Sequence, residues 1–160
     1  MSVKKVTTSG LDRWVDELIG KHQVFGPMAK WKGSRFNFDL LGDSSDLRLD
    51  YDVAITAPKS FFQPTCEVVL RFDEGGAYHS VQHDQPFVLF GVHPYDMAAI
   101  NQMDDVHRAD NPDQHYLARR NNATIVAVDV QRPAANVFAA CMGTAVVDEG
   151  FDILLTRVGD

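Results

Sequence analysis

Phe87-Val88-Leu89-Phe90-Gly91-Val92-His93-Pro94 is the stretch on which the fold turns. Residues 87–92 are apolar or glycine without a break, and a strand that is apolar on both faces has to be covered on both. The His93-Pro94 pair behind it changes the local rule. Proline suits the first turn of a helix, where its missing N–H is not needed, and Met97, Ala98, Ile100 and Met103 then recur inward at helical spacing. The run is therefore predicted as a buried central strand feeding directly into a helix.

Working outward toward the C-terminus, Asn111 as N-cap, Pro112 and Asp113 signal a second helix that runs through Tyr116 and Leu117 to Arg119-Arg120. Thr124–Val130 is a second apolar strand, and Phe151–Thr156 a further one after a loop of small residues. Strand, helices, strand in this order is a parallel crossover unit, right-handed by the usual chirality. Toward the N-terminus, Cys66–Phe72 and Ala77–Gln82 read as a hairpin around Asp73-Glu74-Gly75-Gly76. Tyr51–Ile55 reads as an apolar strand, ahead of a segment in which Pro58 and Pro64 prevent long regular pairing. Between Val24 and Asp52, breaks at Gly26-Pro27, Gly33-Ser34 and Gly42–Ser45 suggest brief strands joined by turns. Ser9 followed by Gly-Leu-Asp gives a capping-box-like start, and Leu11, Trp14, Val15 and Leu18 repeat at helical spacing until Gly20, so residues 9–20 are expected as an amphipathic helix. The expected whole is one α/β domain over residues 1–160: a mixed sheet with a parallel strand-helix-strand crossover, helices packed on the sheet, and one β-hairpin.

Composition narrows the function classes. A chain of 160 residues with 45% hydrophobic and 23% charged residues has enough apolar surface for a core and is unlike a disordered segment. The balance of 15 Lys and Arg against 22 Asp and Glu, net −7, repels phosphate backbones and anionic lipid, which argues against nucleic acid and membrane as partners. No apolar run approaches the roughly 20 residues that span a bilayer, and the first ten residues lack the apolar core of a secretory signal, so a cytoplasmic location is expected. Two cysteines, Cys66 and Cys141, are too few for a disulfide framework and are expected as small buried hydrophobes.

Generic chemical motifs are missing: no Gly-x-Gly-x-x-Gly, no Walker loop, no Gly-x-Ser-x-Gly, no Cys-x-x-Cys. His79 and His83 share a strand face but stand about 13 Å apart at 3.3 Å per residue, too far for one zinc ion, and read as surface histidines. Arg119 and Arg120 in a last helical turn suit a carboxylate or phosphate, or simply complement the helix dipole. His93, Tyr95 and Asp96 sit at the carboxyl end of the buried strand, where open α/β sheets place ligands; the competing reading has Asp96 serve only its own helix N-terminus.

Five segments in order carry a resemblance to a known family: Ala57-Pro58-Lys59-Ser60-Phe61-Phe62-Gln63-Pro64, Phe90-Gly91-Val92-His93-Pro94-Tyr95-Asp96, Asp113-Gln114-His115-Tyr116 through Arg119-Arg120, Cys141-Met142-Gly143-Thr144, and Gly150-Phe151-Asp152-Ile153-Leu154-Leu155. From Tyr51 onward the chain resembles the N-terminal domain of the 4Fe-4S dicluster electron-transfer subunits, those of sulfhydrogenases (subunit beta) and of anaerobic sulfite reductases, with weaker similarity before it. The resemblance implies a place in an oxidoreductase complex, linking a flavin subunit with a catalytic metal subunit by electron transfer, and a two-cluster ferredoxin-like region following the matched part. That region does not begin before Asp160, so the chain is expected to be either the isolated first domain or a stand-alone relative.

The resemblance also implies cysteines within this domain, at positions occupied here by Tyr95, Val130, Val137 and Ala139. Clusters of the common types need about four thiolate or imidazole ligands, and valine and alanine offer no donor. No cofactor is therefore expected in this chain, and Val130, Val137 and Ala139 are expected to have been repacked as dry core. Two readings follow. In the first, the chain is a cluster-free docking module, more a non-catalytic subunit than an enzyme, whose partner is a ferredoxin-like subunit, a flavin subunit or another copy of itself. In the second, it is a small-ligand-binding or catalytic module that uses the strand-end site around His93, Tyr95, Asp96 and Arg119, with Arg120 beside it.

Overall fold

The computed structural model of the chain describes residues 3–31 and 35–159; the turn expected at Gly33-Ser34 lies outside them. In chain order the elements are α1 (Thr8–Ile19), β1 (Gln23–Lys30), β2 (Arg35–Leu40), β3 (Leu70–Phe72), β4 (Tyr78–Ser80), β5 (Phe87–Val92), α2 (Pro94–Arg108), α3 (Gln114–Asn122), β6 (Ala123–Val128) and β7 (Ile153–Leu155), with short 3₁₀ turns at Ser44–Asp46 and Pro58–Phe61. Five strands make one mixed sheet in the order β2-β1-β5-β6-β7, and β3 and β4 form a separate hairpin. β1 runs antiparallel to β2 but parallel to β5, and β5, β6 and β7 are all parallel, as the crossover reading requires. The mixed α/β class read from the sequence is the class observed.

The apolar run 87–92 forms β5 at the centre of the sheet because both of its faces are covered. On one side Val88 and Phe90 pack with Val126 beneath α1, whose Val15, Leu11, Trp14 and Leu18 face inward; the Trp14 and Phe90 rings lie 5.4 Å apart. On the other, Leu89, Val92, Ile125 and Ala127 meet Met97 and Ile100 of α2 and Tyr116 of α3. Tyr51, Phe62 and Phe38 complete that second core. α1 and the α2–α3 pair therefore clamp the parallel strands from opposite sides, and the C-terminal strand ends are left facing the loops.

Several local expectations are corrected. The cap of α1 is Thr7, not Ser9: Thr7 keeps an extended backbone and its Oγ1 accepts from Gly10 N at 3.2 Å, while Ser9 already lies within the first turn. The cap of α3 is Asp113, not Asn111, because its carboxylate accepts from the free amides of both His115 and Tyr116, at 2.9 and 3.1 Å. Tyr51–Ile55 is not a strand. It touches β2 at a single parallel bridge, Phe36 to Ala54, since the Tyr51 side chain is drawn fully into the core. The hairpin is real but short, three residues a side and exposed throughout. Both cysteines are exposed and free, each lying in a loop, where nothing packs over a small apolar group. Among the described residues no helix is long and apolar enough to cross a membrane.

Candidate functional site

The carboxyl end of β5 is shaped by one glycine. Gly91 has φ +83°, and the pairing with β6 skips a residue between Phe90 and Val92. Side chains of a regular strand alternate, which would put Val92 beside Val88 and Phe90; the extra residue turns Val92 onto the α2 side with Leu89. A Cβ at position 91 would stand 3.0 Å from Pro27 Cδ and 3.1 Å from Leu49 Cδ2, so the left-handed conformation and the close packing both call for glycine.

The bulge delivers His93 into the core. It occupies the N-cap position of α2 but caps nothing with its side chain, and it is fully buried. Its imidazole stacks on the Tyr51 ring, centroids 3.9 Å apart and planes 3° from parallel. Nδ1 lies 2.5 Å from Tyr95 Oη, and that hydroxyl donates to the Asp52 carbonyl, also at 2.5 Å. Because the single phenolic proton goes to Asp52, the imidazole supplies the proton of the other bond: Nδ1 carries it, and Nε2 holds a lone pair. Among the described residues that buried Nε2 has no hydrogen-bond partner. Tyr51 Oη in turn donates to the Gly91 carbonyl at 2.8 Å.

Burial governs the protonation of this group. Burial pulls the His93 pKa down to about 4, so the ring is uncharged near neutral pH. Burial pushes Asp96, in the first turn of α2, up to about 6, with Lys59 working in the opposite sense. Burial and then the Asp96 charge raise both the Tyr51 and Tyr95 phenols, which hold their protons. His93 and Tyr95 are thus brought together as a neutral, hydrogen-bonded pair at pH 7, with Asp96 beside them as the group whose carboxyl titrates closest to neutrality.

The two arginines face elsewhere. Arg119 is buried, ion-pairs with Glu67, and donates through Nη1 to the carbonyls of Phe62 and His115 at 3.3 and 3.2 Å; burial draws its pKa down. Arg120 grips the buried Asp104 through Nε, at 2.9 Å to Oδ2, and donates to the Gly150 carbonyl at 2.7 Å. Asp104 also accepts from Tyr116 Oη at 2.6 Å. Among the described residues neither arginine shares a hydrogen-bond or ion-pair partner with His93. Tyr51, Asp52, Glu67 and Asp104 are the partners that sequence reasoning missed. Asp104 alone left a signal, a carboxylate one turn beyond Ile100 on the inward face of α2.

The positions at which the resemblance implies cysteines do not fit a cluster. Tyr95 Oη is already engaged with His93 and Asp52, while Val130, Val137 and Ala139 end in methyl groups. Nor have the three aliphatic positions become core, as expected. In the segment from 130 to 149, which contains no helix or strand, Val130 and Ala139 are only half-buried and Val137 is 43% exposed, beside Phe138 at 67% and Met142 at 66%. Val130 lines an open cleft of about 270 Å³ at the carboxyl ends of β6 and β7, with Asp129, Gln131, Thr156, Arg157 and Gly159. Among the described residues no three His, Cys, Asp or Glu side chains stand close enough to hold a metal ion. His79, on the exposed hairpin, lies 3.7 Å from Asp73.

Comparison with known proteins finds an informative likeness. The chain is 33% identical over 138 residues, 86% of its length, to sulfhydrogenase 2 subunit beta of Pyrococcus furiosus. It spans 40% of the length of that curated relative. No family model matches the chain. No solved structure matches it.

Proposed function

We propose that this relative of a sulfhydrogenase β subunit is a cluster-free docking module of an oxidoreductase complex. The relative is by its name a subunit, and 33% identity along 86% of this chain supports a shared framework with it. The observation that carries the reading is Tyr95. It stands where the resemblance implies a thiolate, and its hydroxyl is spent at 2.5 Å on the Asp52 carbonyl and on His93. The scaffold around the position is kept while its metal-binding chemistry is replaced by an internal tie. On this reading the chain passes no electrons itself. It holds a ferredoxin-like or flavin subunit in place, in the cytoplasm, as the sulfhydrogenases and anaerobic sulfite reductases of the resemblance imply.

Anaerobic purification followed by iron and acid-labile sulfide analysis tests the first half of the proposal. The expected result is far less than one iron per chain and no broad visible absorption, whereas about four irons per chain would overturn it. Co-expression with the flavin and ferredoxin-like subunits of the same genome tests the second half, the expected result being a complex that stays together through gel filtration.

A further inference from the structure

We propose that the β3–β4 hairpin is a docking arm whose Leu70, Phe72 and Tyr78 seat on a partner protein presenting an apolar patch rimmed by Lys and Arg. The proposal rests on the docking reading and names the surface that performs it. The register pairs Leu70 with Ser80, Arg71 with His79 and Phe72 with Tyr78. Directly opposed residues share a face and successive ones alternate, so Leu70, Phe72 and Tyr78 lie together on one side, with Arg71 and His79 on the other. That first side is uncovered: the three residues are 43%, 72% and 70% exposed, and the Phe72 and Tyr78 rings lie 6.5 Å apart. Together they leave on the order of 300 Å² of mostly apolar surface to solvent, the scale at which a patch on a monomer marks an interaction site.

The arm is built to be presented rather than to stabilise the fold. Its strands pair only with each other and do not join the five-stranded sheet. A lone two-stranded hairpin is marginal in water, so this one depends on its tip and its base. At the tip, Asp73 exchanges backbone bonds with Gly76 and Ala77, and its carboxylate accepts from Ala77 N at 2.9 Å. At the base, Glu67 is held by the buried Arg119, which also grips the Phe62 carbonyl and so fastens the start of the arm to α3. An arginine read from the sequence as a candidate anion binder is used here to plant the hairpin.

Charge selects the occupant. Asp73 and Glu74 at the tip and Asp84 beyond β4 outnumber Arg71, all of them exposed. The chain carries −7 overall, so a second copy would bring like charge against like, while a Lys- and Arg-rimmed surface meets the acidic tip favourably and at higher association rate.

The flavin and ferredoxin-like subunits of the same genome, each purified and titrated against this chain, provide the probes. Phe72→Ser with Tyr78→Ser is expected to weaken binding at least about tenfold, as loss of aromatic anchors does, with the melting temperature unchanged because both side chains are exposed and neither belongs to a core cluster. Asp73→Asn with Glu74→Gln is expected to flatten the fall of affinity between low and high salt. Hydrogen exchange on the unmodified complex should show protection confined to residues 69–81 of this chain. Binding that survives the aromatic double substitution, without protection of 69–81, overturns the arm while leaving the docking reading standing. Binding of neither subunit to the wild-type chain overturns both. A wild-type dimer in sedimentation that the double substitution dissociates overturns the heterologous partner in favour of a second copy.

Discussion

The imidazole of His93 lies flat against the phenol of Tyr51, with ring centroids 3.9 Å apart, and the two residues lock the end of β5 to the segment that precedes the Pro58–Phe61 turn. Tyr51 donates to the Gly91 carbonyl; from the far side Tyr95 reaches back to the Asp52 carbonyl and to His93. Two phenolic hydroxyls and one ring stack thus clasp residues 51–52 to residues 91–95.

Tyr95→Phe keeps the ring and deletes the hydroxyl, leaving the Asp52 carbonyl and the His93 Nδ1 proton without their partner. An unsatisfied group in such a setting costs about 1–3 kcal/mol. Urea unfolding at pH 7 should show a loss in that range with an unchanged slope against denaturant. A loss of only a few tenths would mean that the clasp contributes nothing to stability.

The pH dependence of stability should reveal two opposed titrations. The folded pKa of His93, about 4, lies below its ordinary value of 6.5, so the unfolded chain binds more protons between those limits and the His93 contribution is lost as pH falls through that window. Asp96 behaves oppositely: its folded pKa, about 6, lies above 3.8, so its contribution is present at low pH and lost as pH rises toward and through 6. Between pH 4 and 6 the two slopes nearly cancel. Asp96→Asn removes one of them. Relative to the wild type, the variant should lose stability as pH falls from 6.5 to 4, by up to about 3 kcal/mol for the full Asp96 shift. Parallel wild-type and variant curves from denaturant midpoints across this range would show that Asp96 does not titrate as described.

What the sequence makes legible follows physical range. β5, α2, β6 and the parallel crossover announce themselves because a run such as Phe87–Val92 admits one burial environment and because proline at position 94 admits one use. The caps stand two residues from where the pattern puts them, at Thr7 for Ser9 and at Asp113 for Asn111, since all four residue types cap well and only the backbone geometry decides among them. Tyr51–Ile55 misreads as a strand because its apolar character serves a core position and not a ladder. The fates of Arg119 and Arg120 are illegible for a different reason. Their partners Glu67, Phe62, Asp104 and Gly150 lie up to 57 residues away, and no local pattern encodes a contact of that range.

Gly91→Ala probes the bulge that aims the strand end. Alanine must adopt φ near +83° and place its Cβ 3.0 Å from the Pro27 ring and 3.1 Å from Leu49. Strain of this kind costs about 1–3 kcal/mol before any repacking. The distinctive outcome is positional: near-ultraviolet circular dichroism, which reports the environment of Tyr51 and Tyr95, should change more than far-ultraviolet helix content. A well-folded variant with wild-type stability would mean that the kink in β5 is not held by the lack of a side chain.

Asp104 and Arg120 form the buried pair on which the α2–α3 packing depends, and breaking it from either side should have unequal effects. Asp104→Ala leaves the Arg120 guanidinium buried without its carboxylate and strips Tyr116 of its acceptor at 2.6 Å, so a loss of about 3–5 kcal/mol is expected. Arg120→Met leaves Asp104 with Tyr116 and with Arg108, 3.4 Å away at the helix surface, so the loss should be smaller. If the large effect is an uncompensated charge and not lost volume, Asp104→Leu combined with Arg120→Met should recover much of what Asp104→Ala loses. One consequence separates the guanidinium from the carboxylate. Among the described residues only Arg120 donates to the Gly150 carbonyl, in the turn leading to the Asp152 side chain that accepts from Ile125 N and seats β7 on β6. Variants lacking Arg120 should therefore lose hydrogen-exchange protection at residues 151–155 even where global stability has been restored by the paired apolar substitution; protection retained there would assign the seating of β7 to Asp152 alone.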